Sequence, residues 1–558
     1  MRVSLHAAAR IIVLIAVLCC AAAGASGQAL PAGMGAEIDK VFATFSKPGS
    51  PGCAMAVYRD GEIAYEHGYG EASLELGVPI TPRTVFDIGS TSKQFTAFSI
   101  LLLERDGKLS LDDDVRKYVP ELQPMPRPVT LRHLMLHTSG LRDYLTLWAL
   151  AGMKTENWTT QAEAVQLVAR QKQPNFPAGD EWLYSNTGYL LLGETVKRVS
   201  GKSLPEFAAE RIFRPLGMDH TFYLDDHTRV VPGKAEGYVP RRGGGFSVEL
   251  SDFEQTGDGA VQTSVEDLLL WDRNFYQPKV GDQALLEKAQ TVGILNDGKK
   301  LDYAAGLMIG TYRGLPTVRH GGSWAGYRAD LLRFPGVRTS VACLCNLGTA
   351  NPSALADRVA DVVLASRLQP RDQKAAPTAG PEVKVPAEKL APLAGFYEPV
   401  KPGAFRRIAL KDGVLRFGMG EGQPLKAVAA DRFVSGSSGG ELYFPAASPG
   451  AAQEMQMIRE GSGPETYRRL PAPGPQKLEE FAGRFYSEEL DATWTFAVAG
   501  GRLAARVLND PPIVFTPVKE DWFLADNGMV VRFERASGEV RRAFVQAGRV
   551  TNLGFEKR

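Results

Sequence analysis

The sequence predicts an α+β domain followed by two small antiparallel β-barrels, and three observations carry that expectation. Strand-like runs near the start and again between about 305 and 345 enclose a long helical stretch. A polar, proline-bearing segment follows, and beyond it one motif occurs twice, 88 residues apart. At 558 residues, 44% of them hydrophobic, the chain can bury several cores and is too long for one ordinary domain.

From Cys53, CAMAVYRDGEIAYEHGYG sets two alternating runs about Asp60-Gly61, a hairpin signal that places one edge of an antiparallel sheet here. Residues 95–103 are nearly all apolar and then meet ERDGK, so the helix carrying Ser90 should be buried almost all round and stop near Gly107. From 112 to about 280 the pattern is helix and loop, rich in Pro and Gly. Strand patterns return at 305–312, 317–320, 329–334 and 339–345, with Pro335-Gly336 as a turn. Helices inserted between early and late strands of one antiparallel sheet give the α+β class.

After about 368 the text QPRDQKAAPTAGPEVKVPAEK has no periodicity and reads as a linker. LAGFY at 393–397 is then answered by FAGRFY at 481–486, Gly413 by Gly501, and Asp431-Arg432-Phe433 by Asp521-Trp522-Phe523. Two copies of one unit of short alternating strands suit two small closed barrels, with PAPGP at 471–475 between them. The predicted boundaries are 36–368 for the first domain, 369–388 for the linker, and 389–474 and 475–558 for the barrels.

The N-terminal segment, 1–27, has Arg2 and Arg10 ahead of a short apolar run and an A-x-A site at Ala23-Gly24-Ala25, the layout of a secretory signal peptide. An exported protein, periplasmic or secreted and with no membrane span after cleavage, is expected. Cys20 does not suit a lipoprotein, because Val17, Leu18 and Cys19 before it are not the small residues such a site needs. Cleavage would remove Cys19 and Cys20 and leave Cys53, Cys343 and Cys345. Three thiols do not make a disulfide framework, and Cys343 and Cys345, alternating in VACLC, are expected as buried structural cysteines.

With 64 basic and 63 acidic side chains, the chain has no field that favours nucleic acid or an anionic membrane. The seven histidines are scattered, and neither an H-E-x-x-H helix, paired C-x-x-C motifs nor a phosphate-cradling glycine loop occurs, so no metal and no cofactor is expected.

FDIGSTSKQFTAF sets Ser90 and Lys93 three apart, on one helical face. A serine hydroxyl is a poor nucleophile until a base takes its proton, and desolvation favours the neutral form of an amine, so burial of this helix has a chemical use. FPAGDEWLYSNTGYLLLGE places Tyr184 and Asn186 either side of Ser185, ahead of a helix running to about 200 and closed by Gly201. A phenol there can pass a proton, and an amide can hold both Lys93 and a substrate carbonyl. An interface aromatic and a helix N-cap are the competing readings. VRHGGSWAGYRADLLRFPG puts His320-Gly321-Gly322 at the end of one strand, where glycines let a substrate backbone approach and an exposed N–H can polarise a carbonyl. A glycine-rich turn is the alternative there.

Together and in this order, these elements resemble the penicillin-recognising serine hydrolases, which include class C β-lactamases, DD-peptidases, D-aminopeptidases and related esterases. The resemblance covers roughly 38–368 and is reinforced by LSLDDDVRKYVPEL, LRHLMLHTSGL and RIFRPLGMDHTFY. It implies a β-lactamase-like catalytic domain ahead of lipocalin-like barrels, with Ser90 as acylated nucleophile, Lys93 as its base partner, Tyr184 as proton relay and Asn186 orienting substrate. The N–H groups of Ser90 and Ser323 would form the oxyanion hole, and His320, Gly321 and Gly322 would bind substrate. His320 stands where many β-lactamases and DD-peptidases carry a lysine that helps recognise a substrate carboxylate. His-Gly-Gly and the tandem barrels resemble the D-aminopeptidase branch instead, which implies that a barrel loop can reach the active site. The same resemblance makes HTSG, 137–140, a structural turn. Ser92 faces away from Ser90, while Arg328 is either a carboxylate ligand or a strand-edge arginine.

The activity implied is cofactor-independent hydrolysis through an acyl-enzyme, acting on an amide or peptide of D-configured residues. A carboxylesterase or β-lactamase would use the same centre. A penicillin-binding sensor without turnover, or a scaffold whose barrels hold ligands, is the reading of another class.

Overall fold

A computed structural model describes residues 30–370, 382–400, 404–435, 440–446, 453–458 and 463–558. The expected signal peptide, 1–27, and linker residues 371–381 lie outside the described residues. No helix among the described residues is long and apolar enough to cross a membrane.

Strands β1 (Cys53–Arg59) and β2 (Glu62–Tyr69) form a hairpin turned at Asp60 and Gly61, both with positive φ, 53° and 81°. That turn matches the right-handed twist of the strands it joins. Four late strands, β3 (Met308–Tyr312), β4 (Leu315–Trp324), β5 (Tyr327–Phe334) and β6 (Thr339–Cys345), complete one antiparallel sheet. Its order is β3-β4-β5-β6-β1-β2, so the early hairpin pairs with the last strand of the domain.

Alternation along β1 supplies two cores. Ala54, Ala56 and Tyr58 join the larger helical core, while Cys53, Met55 and Val57 face α1 (Met34–Val41) and α5 (Pro352–Val363). The central helix α2 (Lys93–Arg105) follows a 3₁₀ turn, Gly89–Ser92, and is buried on every side from Lys93 to Leu103. It lies against α4 (Asn186–Ser200), which Gly201 closes at φ 74° as a left-handed cap. Between them in the chain, α3 (Tyr144–Leu150) starts at its cap Asp143.

The cysteines depart from expectation. Cys53 and Cys345 stand opposite each other in the β1–β6 register and form a disulfide, leaving Cys343 as a buried free thiol. Cys343 and Cys345 do share one face of β6, as their alternation requires. What spacing could not show is that a strand 292 residues away supplies the partner.

Each C-terminal unit is a closed eight-stranded antiparallel barrel, the first from Gly395–Pro399 to Glu465–Arg469 and the second from Gly483–Ser487 to Val550–Lys557. The repeated glycines have a steric cause. A Cβ at Gly395 would lie 2.8 Å from Arg469 Nε, and one at Gly483 would lie 2.9 Å from Lys557 Cε. Both intruding side chains come from the strand that closes the barrel. The second barrel is packed solid: Phe481, Phe485, Phe496, Phe523 and Phe533 meet at ring separations of 4.8–5.7 Å. It is docked on the α+β domain. Arg142, 1% exposed, donates to Glu489 Oε2 at 2.7 Å and to the carbonyls of Thr551 and Asn552, and Trp494 Nε1 donates to Leu150 O at 2.9 Å.

Removing the Cys53–Cys345 link by Cys345→Ala should lower unfolding free energy by about 2–4 kcal/mol, because the bond closes a long loop in the unfolded chain. A denaturant midpoint that stays in place at constant slope would show that the bond does not form.

Candidate active site

The 3₁₀ turn before α2 is held residue by residue. Asp87 Oδ1 accepts the Gly89 N–H at 2.7 Å, Thr91 Oγ1 donates to His320 O at 3.2 Å, and Ser92 Oγ accepts the Val261 N–H at 3.1 Å. Gly89 has φ 48°, and a Cβ there would lie 2.6 Å from Ser323 N, so the turn is pressed directly on β4. Ser90 is the residue of this turn whose side chain meets Lys93 and lines a cleft of about 420 Å³, together with Tyr144, Asn186, Asp258, Ser323 and Trp324.

Lys93 is fully buried. Its Nζ lies 2.9 Å from Ser90 Oγ, 2.9 Å from Asn186 Oδ1 and 2.6 Å from the main-chain oxygen of Asp258. Two of these partners are carbonyl oxygens, which only accept; the third is a hydroxyl, which can also donate. Asn186 and Asp258 can therefore only accept from Lys93, and the remaining position on its nitrogen is the one that meets the Ser90 hydroxyl.

Asn186 is the first residue of α4, and its N–H donates to Asp143 Oδ2 at 2.7 Å while Asp143 Oδ1 caps α3. The helix cap position itself is Ser185. Tyr184 lies beside Lys93, with Nζ 5.0 Å from the ring centroid, and its buried hydroxyl has no hydrogen-bond partner among the described residues. Beneath it, His137 holds φ 60° in the HTSG turn, packs tilted against the Tyr184 ring at 4.1 Å and accepts the Ser185 N–H at Nδ1. Burial pushes this imidazole well below its ordinary value, so it is neutral. HTSG thus orients the Tyr184–Asn186 segment.

The expected substrate-binding trio behaves differently. His320 is 3% exposed; its Nδ1 meets Gly321 O at 2.6 Å and its Nε2 meets the Tyr303 hydroxyl at 2.9 Å. Since a carbonyl only accepts, Nδ1 carries the proton and Nε2 accepts from Tyr303. Burial, with Lys93 nearby, pushes His320 down to about 3, so it offers no positive charge. Neither His320 nor either glycine is among the residues lining the cleft. A Cβ at Gly322 would lie 1.8 Å from Ile88 O, so this glycine admits the chain's own 3₁₀ turn rather than a substrate. Arg328 turns Nη1 to the carbonyls of Ala325 and Tyr327.

Three participants escaped the sequence reading. Tyr303 orients His320. Asp258, in the stretch Gly257-Asp258-Gly259, gives Lys93 its main-chain oxygen, and its carboxyl accepts from the Tyr144 hydroxyl at 3.1 and 3.3 Å. Arg549, at the hairpin tip joining the last two strands of the second barrel, sits 4.6 Å over the Tyr184 ring and 3.5 Å from Asp143 Oδ2. Flanking glycines were the one local sign of Asp258; Arg549 left none.

Residues 38–366 match the family described as Beta-lactamase. This chain belongs to the beta-lactamase family. Its relatives include a D-aminopeptidase of Gluconobacter oxydans, 30% identical over 81% of this chain and 82% of that protein. A D-aminopeptidase of Cereibacter sphaeroides is 29% identical over 79% of this chain and 80% of its own length. Among solved structures, an octameric penicillin-binding protein homologue from Pyrococcus abyssi is 25% identical with a TM-score of 0.56, covering 78% of this chain and 99% of that one. Family and fold make the protein a serine hydrolase, and both eight-stranded barrels follow its β-lactamase-like domain.

Because Gly322 supports the Ser90 turn, Gly322→Ala should cut turnover at least tenfold although the residue lines no part of the cleft. Steady-state kinetics beside a thermal melt checks this; unchanged turnover in a folded variant would contradict the packing argument.

Proposed function

We propose that the protein is an exported amidase or aminopeptidase that acts through an acyl-enzyme on small amides or peptides with a D-configured residue at the acyl position. The observation that carries the chemistry is the Ser90–Lys93 contact at 2.9 Å, with both other Lys93 partners unable to donate. The substrate class rests on the relatives named as D-aminopeptidases, whose similarity runs well past the catalytic domain. Of the ionisable residues lining the cleft, five are carboxylic acids, Asp87, Glu236, Glu249, Asp252 and Asp258, against one amine, Lys234, and one imidazole, His227. Such a cleft favours substrates that carry a cation over those that carry a carboxylate. The neutral state of His320 points the same way.

In this reading, Ser90 Oγ gives its proton to Lys93 Nζ and attacks the substrate carbonyl carbon. The resulting oxyanion lies against the N–H groups of Ser90 and Ser323. Asn186 orients the substrate, and the unpartnered Tyr184 hydroxyl protonates the leaving amine as the C–N bond breaks. Water then attacks the ester carbonyl and gives its proton to the Tyr184 phenolate, and as the bond to Ser90 Oγ breaks Lys93 returns its proton to that oxygen and the acid departs. Export is supported by the Cys53–Cys345 disulfide, which suits an oxidising compartment.

One preparation assayed with D-alanine p-nitroanilide, a short-chain p-nitrophenyl ester and nitrocefin should turn over the anilide, and Ser90→Ala should abolish that activity. Fast ester turnover with an inert anilide would replace this reading with an esterase.

A further inference from the structure

The carboxyl of Asp258 is the part of the cleft that the chemistry above leaves unused. The residue is 8% exposed and lines the cleft with Ser90 and Asn186. An ionised carboxylate offers about four acceptor positions, and among the described residues the side-chain oxygens receive two donors, the Tyr144 hydroxyl and the residue's own backbone N–H. Lys93 cannot serve them, since the three positions on its nitrogen are taken by Ser90, Asn186 and the Asp258 main-chain oxygen. Burial, with Asp143 nearby and Lys93 opposing, pushes this carboxyl up to about 6. The charged and titratable groups that face it are Lys93 from α2, Asp143 and Tyr144 from the start of α3, and Tyr223 from the short strand Phe222–Tyr223. Arg549 reaches Asp143 from beyond.

The other carboxylates of the cleft differ. Asp87 is satisfied by the Gly89 N–H and Gln262, and Glu236 by Ser73 and Tyr238. Glu249 and Asp252 are only partly buried. Asp258 combines burial and open acceptor positions with a place in the chain of contacts to the nucleophile: its main-chain oxygen bonds Lys93, which bonds Ser90 Oγ.

We propose that Asp258 binds the α-ammonium group of the substrate, so that the site selects acyl groups with a free amine on the carbon next to the scissile carbonyl. This rests on the amidase reading above. A primary ammonium is a compact cation with three donors, which supplies what the carboxylate lacks, and in an amino-acid amide it is two bonds from the carbon that Ser90 attacks. The pH dependence follows. Below about 6 Asp258 gains a proton and loses its charge, whereas above about 8 the α-amine loses its own. KM for amine-bearing substrates should therefore be lowest between these limits and rise on the acid side as Asp258 is protonated.

The test compares D-alanine p-nitroanilide with its amine-free analogue, propionyl p-nitroanilide, on wild-type protein and Asp258→Asn, from pH 5 to 9. Wild type should prefer the amine-bearing anilide by at least tenfold in kcat/KM near pH 7, and this preference should shrink towards pH 5. Asp258→Asn, near-isosteric, should raise KM for the amine-bearing anilide at least tenfold more than for the analogue and erase the acid limb of that preference. Equal losses for both anilides would mean that Asp258 only supports Lys93, and would overturn the assignment. If the variant does not fold, the wild-type comparison decides alone: equal turnover of both anilides at every pH rejects the idea. Were wild type inert toward both anilides yet active on esters, the amidase reading itself would fall and take this inference with it.

Discussion

A fully buried amine held by three oxygens is the constraint around which this catalytic domain is assembled. Removing the Lys93 side chain from water is costly unless every donor finds an acceptor. The acceptors come from separate parts of the chain: Ser90 one turn earlier, Asn186 at the start of α4, and the main chain of Asp258. Each has its own tether. Thr96, one turn after Lys93, donates to Gly257 O and so fastens the segment that carries Asp258 to α2. Asp143 holds the Asn186 N–H, and the 3₁₀ turn rests on β4 through Gly89 and Gly322. The six-stranded sheet, closed by its earliest and latest strands, keeps these segments in place.

The second barrel belongs to the same construction. Its contacts with the catalytic domain centre on a buried arginine, Arg142, one residue ahead of Asp143. Arg549 from the barrel pairs with Asp143 and covers Tyr184, so a charge two domains along the chain bears on the residue that positions Asn186. The resemblance implied a barrel loop near the site without identifying one; the hairpin tip at Gly548-Arg549 is where this chain makes that contact. The first barrel packs on the second instead, through Phe405 against Val518, Leu524 and Val530.

What could be read from the sequence was mostly local. Ser90 and Lys93 are legible because three residues of helix fix their relation, and the Asp60-Gly61 hairpin and the duplicated glycines are legible because turns and close approaches demand particular residues. The α4 start and its Gly201 end follow the same logic. Failures came where a residue's meaning depends on distant chain. The Cys53–Cys345 bond needs the β1–β6 register, the neutral state of His320 needs Tyr303 and burial, and Asp258 matters only because α2 lies against its main chain. Gly322 shows the same limit from another side: a glycine beside a cleft can admit substrate or the protein's own backbone, and the Ile88 carbonyl occupies that space.

The central claim, that Lys93 takes the proton of Ser90, is tested most directly by the rate at which a fluorophosphonate modifies Ser90 in wild type and Lys93→Arg, followed by intact mass. Arginine keeps a positive charge near Ser90 but cannot give up its proton to act as a base. The account predicts a second-order rate lower by about 10²- to 10⁴-fold in the folded variant. A rate within about threefold of wild type would contradict it.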